Sequence, residues 1–227
     1  MKKTKKSTLI FIFSILLFLP ICLNSQDSIR KLGLRVGYDV SNLAFNFFNN
    51  EVDEQELLVD FGIGYRLFLA TEGGYSIVSY SPNETGSLYK LNGYFVRVGI
   101  DYDLLKKGNN LFVFGLRYSM SSFKHSVSNI LITNEYWGKE VTNIPGSRDH
   151  ANWITISSGL KVEIFSNFYL GFLFQGNILL SNYEDSLRPY YIPGFGKTNK
   201  NASLGTSYFL SYMIPFGKVK NNVGNKE

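Results

Sequence analysis

Leu57-Leu58-Val59-Asp60-Phe61-Gly62-Ile63-Gly64-Tyr65-Arg66-Leu67-Phe68-Leu69 sets an apolar side chain on every odd position. Its even positions carry Leu58, Asp60, Gly62, Gly64, Arg66 and Phe68. A period of two is the signature of a β-strand, because successive side chains point to opposite faces. An apolar face set against a row of glycine and charge fits a strand whose outer side meets lipid and whose inner side meets a crowded polar interior.

The same design recurs along the chain. Leu32, Leu34, Val36, Tyr38 and Val40 alternate with Lys31, Gly33, Arg35, Gly37 and Asp39, and Tyr94, Val96, Val98, Ile100 and Tyr102 alternate with Gly93, Phe95, Arg97, Gly99 and Asp101. Eight such stretches are expected, at 32–45, 57–69, 74–81, 88–104, 111–123, 152–165, 168–181 and 201–216. Lipid offers no partner to backbone N–H and C=O groups, so strands that cross it must close on themselves. An even number does so as an up-and-down barrel. The expected fold is all-β: an eight-stranded antiparallel up-and-down transmembrane β-barrel spanning 26–216.

Residues 1–25 read as a signal peptide. Lys2, Lys3, Lys5 and Lys6 precede an apolar run from Leu9 to Leu23 that is too short for a stable membrane helix, and cleavage is expected after Ser25. Removing those four lysines leaves 19 Lys and Arg against 18 Asp and Glu, which takes the net charge from +5 to +1. The basic balance therefore belongs to the leader and implies no nucleic-acid partner. Cys22 lies within the leader, so the mature chain has no thiol for a disulfide or a thiolate metal site. No cofactor or metal is expected. Residues 217–227, after Phe216, read as a polar periplasmic tail.

Expected connections alternate between short (70–73, 105–110, 166–167) and long (46–56, 82–87, 124–151, 182–200), placing the short turns in the periplasm and the long loops outside. In the third strand Tyr75, Ile77 and Ser79 compete with Ser76, Val78 and Tyr80 for the lipid face, so its register is open. Phe45, Tyr65, Tyr102, Trp153, Phe168 and Phe216 are expected in aromatic girdles at the interfaces. The inward rows carry Arg35, Asp39, Asp60, Arg66, Arg97, Asp101, Asp103, Arg117, Lys161 and Glu163. Eight strands leave an interior just wide enough for side chains, and unpaired buried charge is costly. Mutual pairing in a packed polar lumen is favoured over an ion path.

Three other functions compete with that of a barrel presenting its outer loops. A soluble lipocalin-like carrier would turn the apolar face inward around a small hydrophobic ligand, but its outer face should then be rich in charge, which the glycine- and serine-rich rows are not. A lipid-modifying hydrolase would draw on His125 with Ser126 or Ser128, since a nucleophile needs a base beside it. His125 and His150 are the only histidines, and their spacing is not diagnostic of a metal site. Passive transport is disfavoured by the filled lumen. The stretch 124–151 is apolar for a loop and is expected to fold over the mouth or extend as a hairpin, with Tyr136 and Trp137 as candidate recognition residues.

The detailed wording of several segments carries a resemblance. Gly33-Leu34-Arg35-Val36-Gly37-Tyr38-Asp39, Tyr94 to Tyr102, the pair Tyr136-Trp137, Tyr190-Tyr191-Ile192-Pro193-Gly194-Phe195 and Ser211-Tyr212-Met213-Ile214-Pro215-Phe216 together resemble an uncharacterised barrel family of Bacteroidota, a domain of unknown function. The resemblance implies an outer-membrane location and brings no catalytic residues. The partners expected are outer-membrane lipid, the barrel-assembly machinery and an extracellular partner at the outer loops, for a monomeric or weakly associated protein. Phe216 would then stand as an internal form of the aromatic assembly signal.

Overall fold

The computed structural model describes residues 29–41, 51–81, 86–105, 108–134, 138–183 and 188–220. The leader, Phe45, the pair Tyr136 and Trp137, and residues 221–227 lie outside them. The strands are β1 (Ile29–Asp39), β2 (Val52–Gly62), β3 (Leu67–Tyr80), β4 (Leu88–Asp103), β5 (Leu111–Asn134), β6 (Gly138–Phe165), β7 (Phe168–Leu179), the short β8 (Tyr191–Ile192) and β9 (Gly196–Lys197), and β10 (Ala202–Lys220). Eight of them close an antiparallel barrel in the order β1-β10-β7-β6-β5-β4-β3-β2, while β8 and β9 form a separate two-stranded hairpin. Closure is made by β1 on β10, with Leu34 opposite Ile214 and a bulge at Leu32/Gly33.

Alternation decides which face each residue takes. Leu57, Phe61, Leu69, Tyr94, Val98, Leu116, Phe174 and Ile214 are exposed on the outer wall, whereas Asp60, Glu72, Arg97, Asp101, Arg117 and Lys161 are buried inside. This is the reverse of a lipocalin, which turns its apolar face inward. The third strand shares that logic. Tyr75 and Ile77 face out and Ser76 and Val78 face in, because β3 begins at Leu67 and keeps the odd-outward phase of Leu67 and Leu69.

Several boundaries differ from the sequence expectation. The stretch 57–69 is not one strand: β2 stops at Gly62, residues 63–66 turn, and the expected turn at 70–73 lies inside β3. The turn is closed by Leu67, whose carbonyl accepts from the N–H groups of Ile63 and Gly64. Two strands of the same phase and composition joined by four residues thus read as one unbroken alternation. Val52 to Glu56, expected in a loop, begin β2, and 124–134 and 138–151, expected in a long loop, are strand. β10 runs on past Phe216 to Lys220, four residues into the expected tail. Trp153, expected at an interface, is wholly buried inside the barrel.

The strand ends Gly62 and Leu67, Asp103 and Leu111, and Phe165 and Phe168 gather at one end of the barrel, and Asp39 and Val52, Tyr80 and Leu88, Asn134 and Gly138, and Leu179 and Ala202 at the other. Two apolar clusters flank the interior. Leu58, Phe68, Leu111, Val113, Leu173 and Phe209 pack on the short-turn side. Val78, Leu91, Phe95, Phe123, Trp153, Ile192 and Phe195 pack toward the long-loop end. Between them lies a charged layer.

Candidate functional site

The charged layer is assembled from six adjacent strands. β1 supplies Arg35, β2 Glu56 and Asp60, β3 Glu72, β4 Arg97 and Asp101, β5 Arg117 and β6 Lys161, all buried. Four carboxylates therefore face four cations. Arg35 Nη1 donates to Asp60 Oδ2 at 3.0 Å, and Lys161 Nζ reaches Asp60 at 2.5 Å and Asp101 at 3.3 Å. Arg117 Nη2 bridges Asp101 Oδ1 at 2.9 Å and Glu72 at 3.3 Å, while Arg97 Nη1 holds Glu72 and Glu56, each at 2.7 Å. The result is one continuous chain of ion pairs from Arg35 to Glu56.

Room for this chain is made by glycine. A Cβ at Gly115 would collide with Asp101 Oδ1 and Ser157 Oγ, and the Arg117 guanidinium donates to that same Ser157 hydroxyl. Arg35 is further braced by lying over the Tyr169 ring, 4.5 Å from its centroid.

Two contacts determine what the lumen can do. Lys161 and Asp60 sit on β6 and β2, four places apart around an eight-stranded ring, so their bond crosses its diameter. Gln175 Nε2 on β7 donates to Glu72 Oε2 on β3 at 3.1 Å, again between opposite strands. The lumen is thus bridged twice from wall to wall, with charged groups in a medium where breaking one pair costs roughly 3–5 kcal/mol.

Above the charged layer the mouth is filled from the chain itself. Residues 190–198 fold back into the barrel, and their β8–β9 hairpin acts as a plug. Arg97 Nη2 donates to Gly194 O at 2.7 Å, and Glu54 Oε2 accepts from Gly194 N–H and from the Tyr191 hydroxyl, each at 3.2 Å. Phe195 meets Trp153 edge-on, with centroids 5.9 Å apart. Gly194 has φ +74° and lies against the Phe95 ring, so a side chain there would be strained and obstructed at once. The expectation that 182–200 is a presented outer loop is corrected here for its central part, since Ile192 and Phe195 are buried. Burial pushes the Tyr183 phenol up to about 12, and burial together with the adjacent Glu54 carboxylate holds Tyr191 well above its ordinary range. Both therefore remain hydroxyl donors, Tyr183 to His150 O at 2.8 Å.

Other candidates occupy different places. Arg66 is not a lumen residue: it sits in the 63–66 turn, donating to Asp103 O at 2.7 Å and Leu104 O at 3.1 Å, with its guanidinium 4.5 Å from the Tyr102 centroid. Glu163 lies at the short-turn end, accepting from Lys31 at 3.2 Å, Asn109 at 2.7 Å and Asn167 N–H at 2.8 Å. Asp103 pairs there with Arg30, and Asp39 is held by the Ser41 N–H at 2.7 Å. His125 points inward between Tyr89 and Phe123, with Nε2 3.5 Å from Asp149. Ser126, the next residue, faces the outer wall, so the strand points the two side chains apart. Ser128 lies opposite Leu88, beyond a break in register between His125 and Val127.

Sequence reasoning missed Glu56, Glu72 and Arg30. In sequence 70–73 reads as a turn and 46–56 as a loop, so neither Glu72 nor Glu56 falls in an inward row. The unbroken odd-outward phase from Leu67 through Tyr75 and Ile77 was the signal for Glu72.

A family model matches residues 2–219, nearly the whole chain, and its description is "Domain of unknown function (DUF6048)". The chain belongs to the DUF6048 family. Among solved structures, this DUF6048 chain is similar to Ail, the attachment invasion locus protein of Yersinia pestis, at 9% identity and a TM-score of 0.40, over 82% of this chain and 95% of that one. The same Yersinia pestis protein in complex with the heparin analogue sucrose octasulfate gives 9% identity and a TM-score of 0.37 over the same shares. No curated protein matches this sequence.

Proposed function

We propose that this protein is an integral outer-membrane β-barrel with a closed lumen, whose role is to hold the β5–β6 hairpin outside the membrane as a surface-interaction element. The observation that carries this reading is the length of that hairpin. Pairing of β5 with β4 ends at Leu88 opposite Ser128, yet β5 continues to Asn134 against β6 alone. Residues 129–134 at 3.3 Å each project about 20 Å past the neighbouring wall. A strand needs only about 9–11 residues to cross the bilayer, and β5 and β6 have 24 and 28. Export through the 1–25 leader, cleaved after Ser25, belongs to this reading. So do a polar periplasmic C-terminal tail, insertion by the barrel-assembly machinery and a monomeric state. Catalysis has no part in it, because His125 and Ser126 point to opposite sides of the wall and Ser128 lies beyond the break in register after His125.

The test uses thiol chemistry, since cleavage of the leader removes Cys22. Val141→Cys, at an exposed hairpin position, and Ser166→Cys, in a short turn, are labelled in intact cells with a membrane-impermeant maleimide. The expected result is labelling of the 141 variant in intact cells and of the 166 variant only after permeabilisation. The reverse pattern, or recovery of the protein in the soluble fraction, contradicts the reading.

A further inference from the structure

Cations on the outer wall are arranged quite differently from those inside. Lys90 on β4, Lys124 on β5 and Arg148 on β6 are all exposed and project outward from three adjacent strands. Lys124 lies opposite Asn92 on one side and Arg148 on the other, and Lys90 lies opposite Ser79 and Ser126. Lys90, Lys124, Asn92, Ser126 and Tyr75 help line a cleft of about 380 Å³ on this wall. Gly146 borders it, where a Cβ would lie 3.0 Å from Lys124 Cε.

Like charges directly opposite one another weaken a sheet. Here nothing offsets them: among the described residues no carboxylate lies within 4.0 Å of Lys90, Lys124 or Arg148. Asp149, next to Arg148, is directed toward His125. Asp53, exposed opposite Ile77 on β2, is three strands from Lys124, roughly 14 Å away at about 4.8 Å per strand.

The level of the patch on the wall identifies its occupant. One step down the same faces come Tyr75 and Tyr94, in register with each other and 45% and 60% exposed, and below them Val96 and Met120 begin the apolar band. Exposed tyrosines bordering an apolar band mark the membrane interface. Three unpaired cations just beyond them stand at headgroup height.

We propose that this cleft binds the phosphate of a phosphorylated lipid headgroup in the surrounding leaflet. Lys90 and Lys124 contact the phosphate oxygens from the cleft lining, Arg148, opposite Lys124, adds a third cation beside the cleft, Asn92 and Ser126 supply neutral hydrogen bonds, and the acyl chains lie along Val96 and Met120. The proposal rests on the reading of the barrel as membrane-spanning and deepens it by naming a lipid partner.

The test is native mass spectrometry of the mature chain in detergent, titrated with diphosphorylated lipid A, the same lipid stripped of phosphate, and inorganic phosphate. Gel migration with and without boiling reports barrel closure for every variant. The expected result is retention of the phosphorylated lipid over the stripped one, weakened roughly a hundredfold in a Lys90→Ala, Lys124→Ala, Arg148→Ala triple variant that keeps its heat-dependent shift. Lys218→Ala, which removes an exposed cation near the short-turn end, leaves retention unchanged. Equal retention by the triple variant, equal retention of the stripped lipid, or competition by inorganic phosphate at equal concentration overturns the proposal. A chain that stays soluble without detergent and shows no heat-dependent shift fails at the membrane reading instead.

Discussion

Arg97 and Lys124 stand on neighbouring strands of one barrel, and their surroundings are opposite. Arg97, inside, holds Glu56, Glu72 and the carbonyl of Gly194 at 2.7 Å each. Lys124, outside, lies opposite Asn92 and Arg148, with no carboxylate within 4.0 Å among the described residues. In the narrow lumen an unpaired charge costs several kcal/mol, so cations and carboxylates arrive together. At the headgroup level water and lipid phosphate are available, so the wall can carry cations without building partners for them. Pairing inside serves closure, and its absence outside is what the proposed lipid site uses.

The strongest way to break this contrast is to remove Arg97. Arg97→Ala leaves the buried Glu56 carboxylate without its ion-pair partner, leaves Glu72 to Arg117 and Gln175, and releases the plug, and is expected to cost roughly 3–5 kcal/mol in urea unfolding of the barrel in lipid vesicles. A loss below about 1 kcal/mol would show that Glu56 and Glu72 find other partners. Next in size is the bond across the diameter. Lys161→Met leaves Asp60 and Asp101 short of a cation and is expected to cost about 3 kcal/mol, whereas Lys161→Met with Asp60→Asn recovers part of that loss, a coupling read by a double-mutant cycle. Strict additivity would mean the two residues act independently.

The plug gives a smaller effect. Gly194→Ala introduces a Cβ at φ +74° against Phe95, and is expected to cost about 1–3 kcal/mol and to expose Trp153 as Phe195 withdraws. In a Trp137→Phe background, where Trp153 is the one tryptophan left, a red shift in fluorescence reports it, and an unchanged spectrum would show that the loop tolerates the side chain. Smallest of all is Lys124→Ala, expected to alter stability by less than about 0.5 kcal/mol, since it relieves the opposition to Arg148. A loss comparable to that of Arg97→Ala would erase the distinction between the two faces.

How far the fold was legible follows from the same physics. Period two is imposed on each strand separately, so β4, with Tyr94, Val96, Val98 and Ile100 outward and Phe95, Arg97 and Asp101 inward, could be read from sequence alone. What alternation does not encode is where a tight turn interrupts it. Residues 63–66 turn the chain with Tyr65 and Arg66, residues that also suit a strand, and the phase resumes unchanged at Leu67. The unbroken phase across that turn conceals Glu72, and the lack of alternation before Leu57 conceals Glu56. The ion pairs themselves join strands far apart in sequence, such as Lys161 and Asp60, and local pattern carries no information about who meets whom across a lumen. The plug was hidden for a different reason. Tyr190 to Phe195 lie in a loop by every local signal, and only the filled space above Arg97 gives those aromatic and apolar residues a place to be buried.

The central claim is that a bridged charge layer and a plug close this barrel. Single-channel recording of the purified mature protein in planar bilayers tests it most directly. Insertion without resolvable ionic steps is the expected result, and stable, reproducible conductance from the unaltered chain would contradict it.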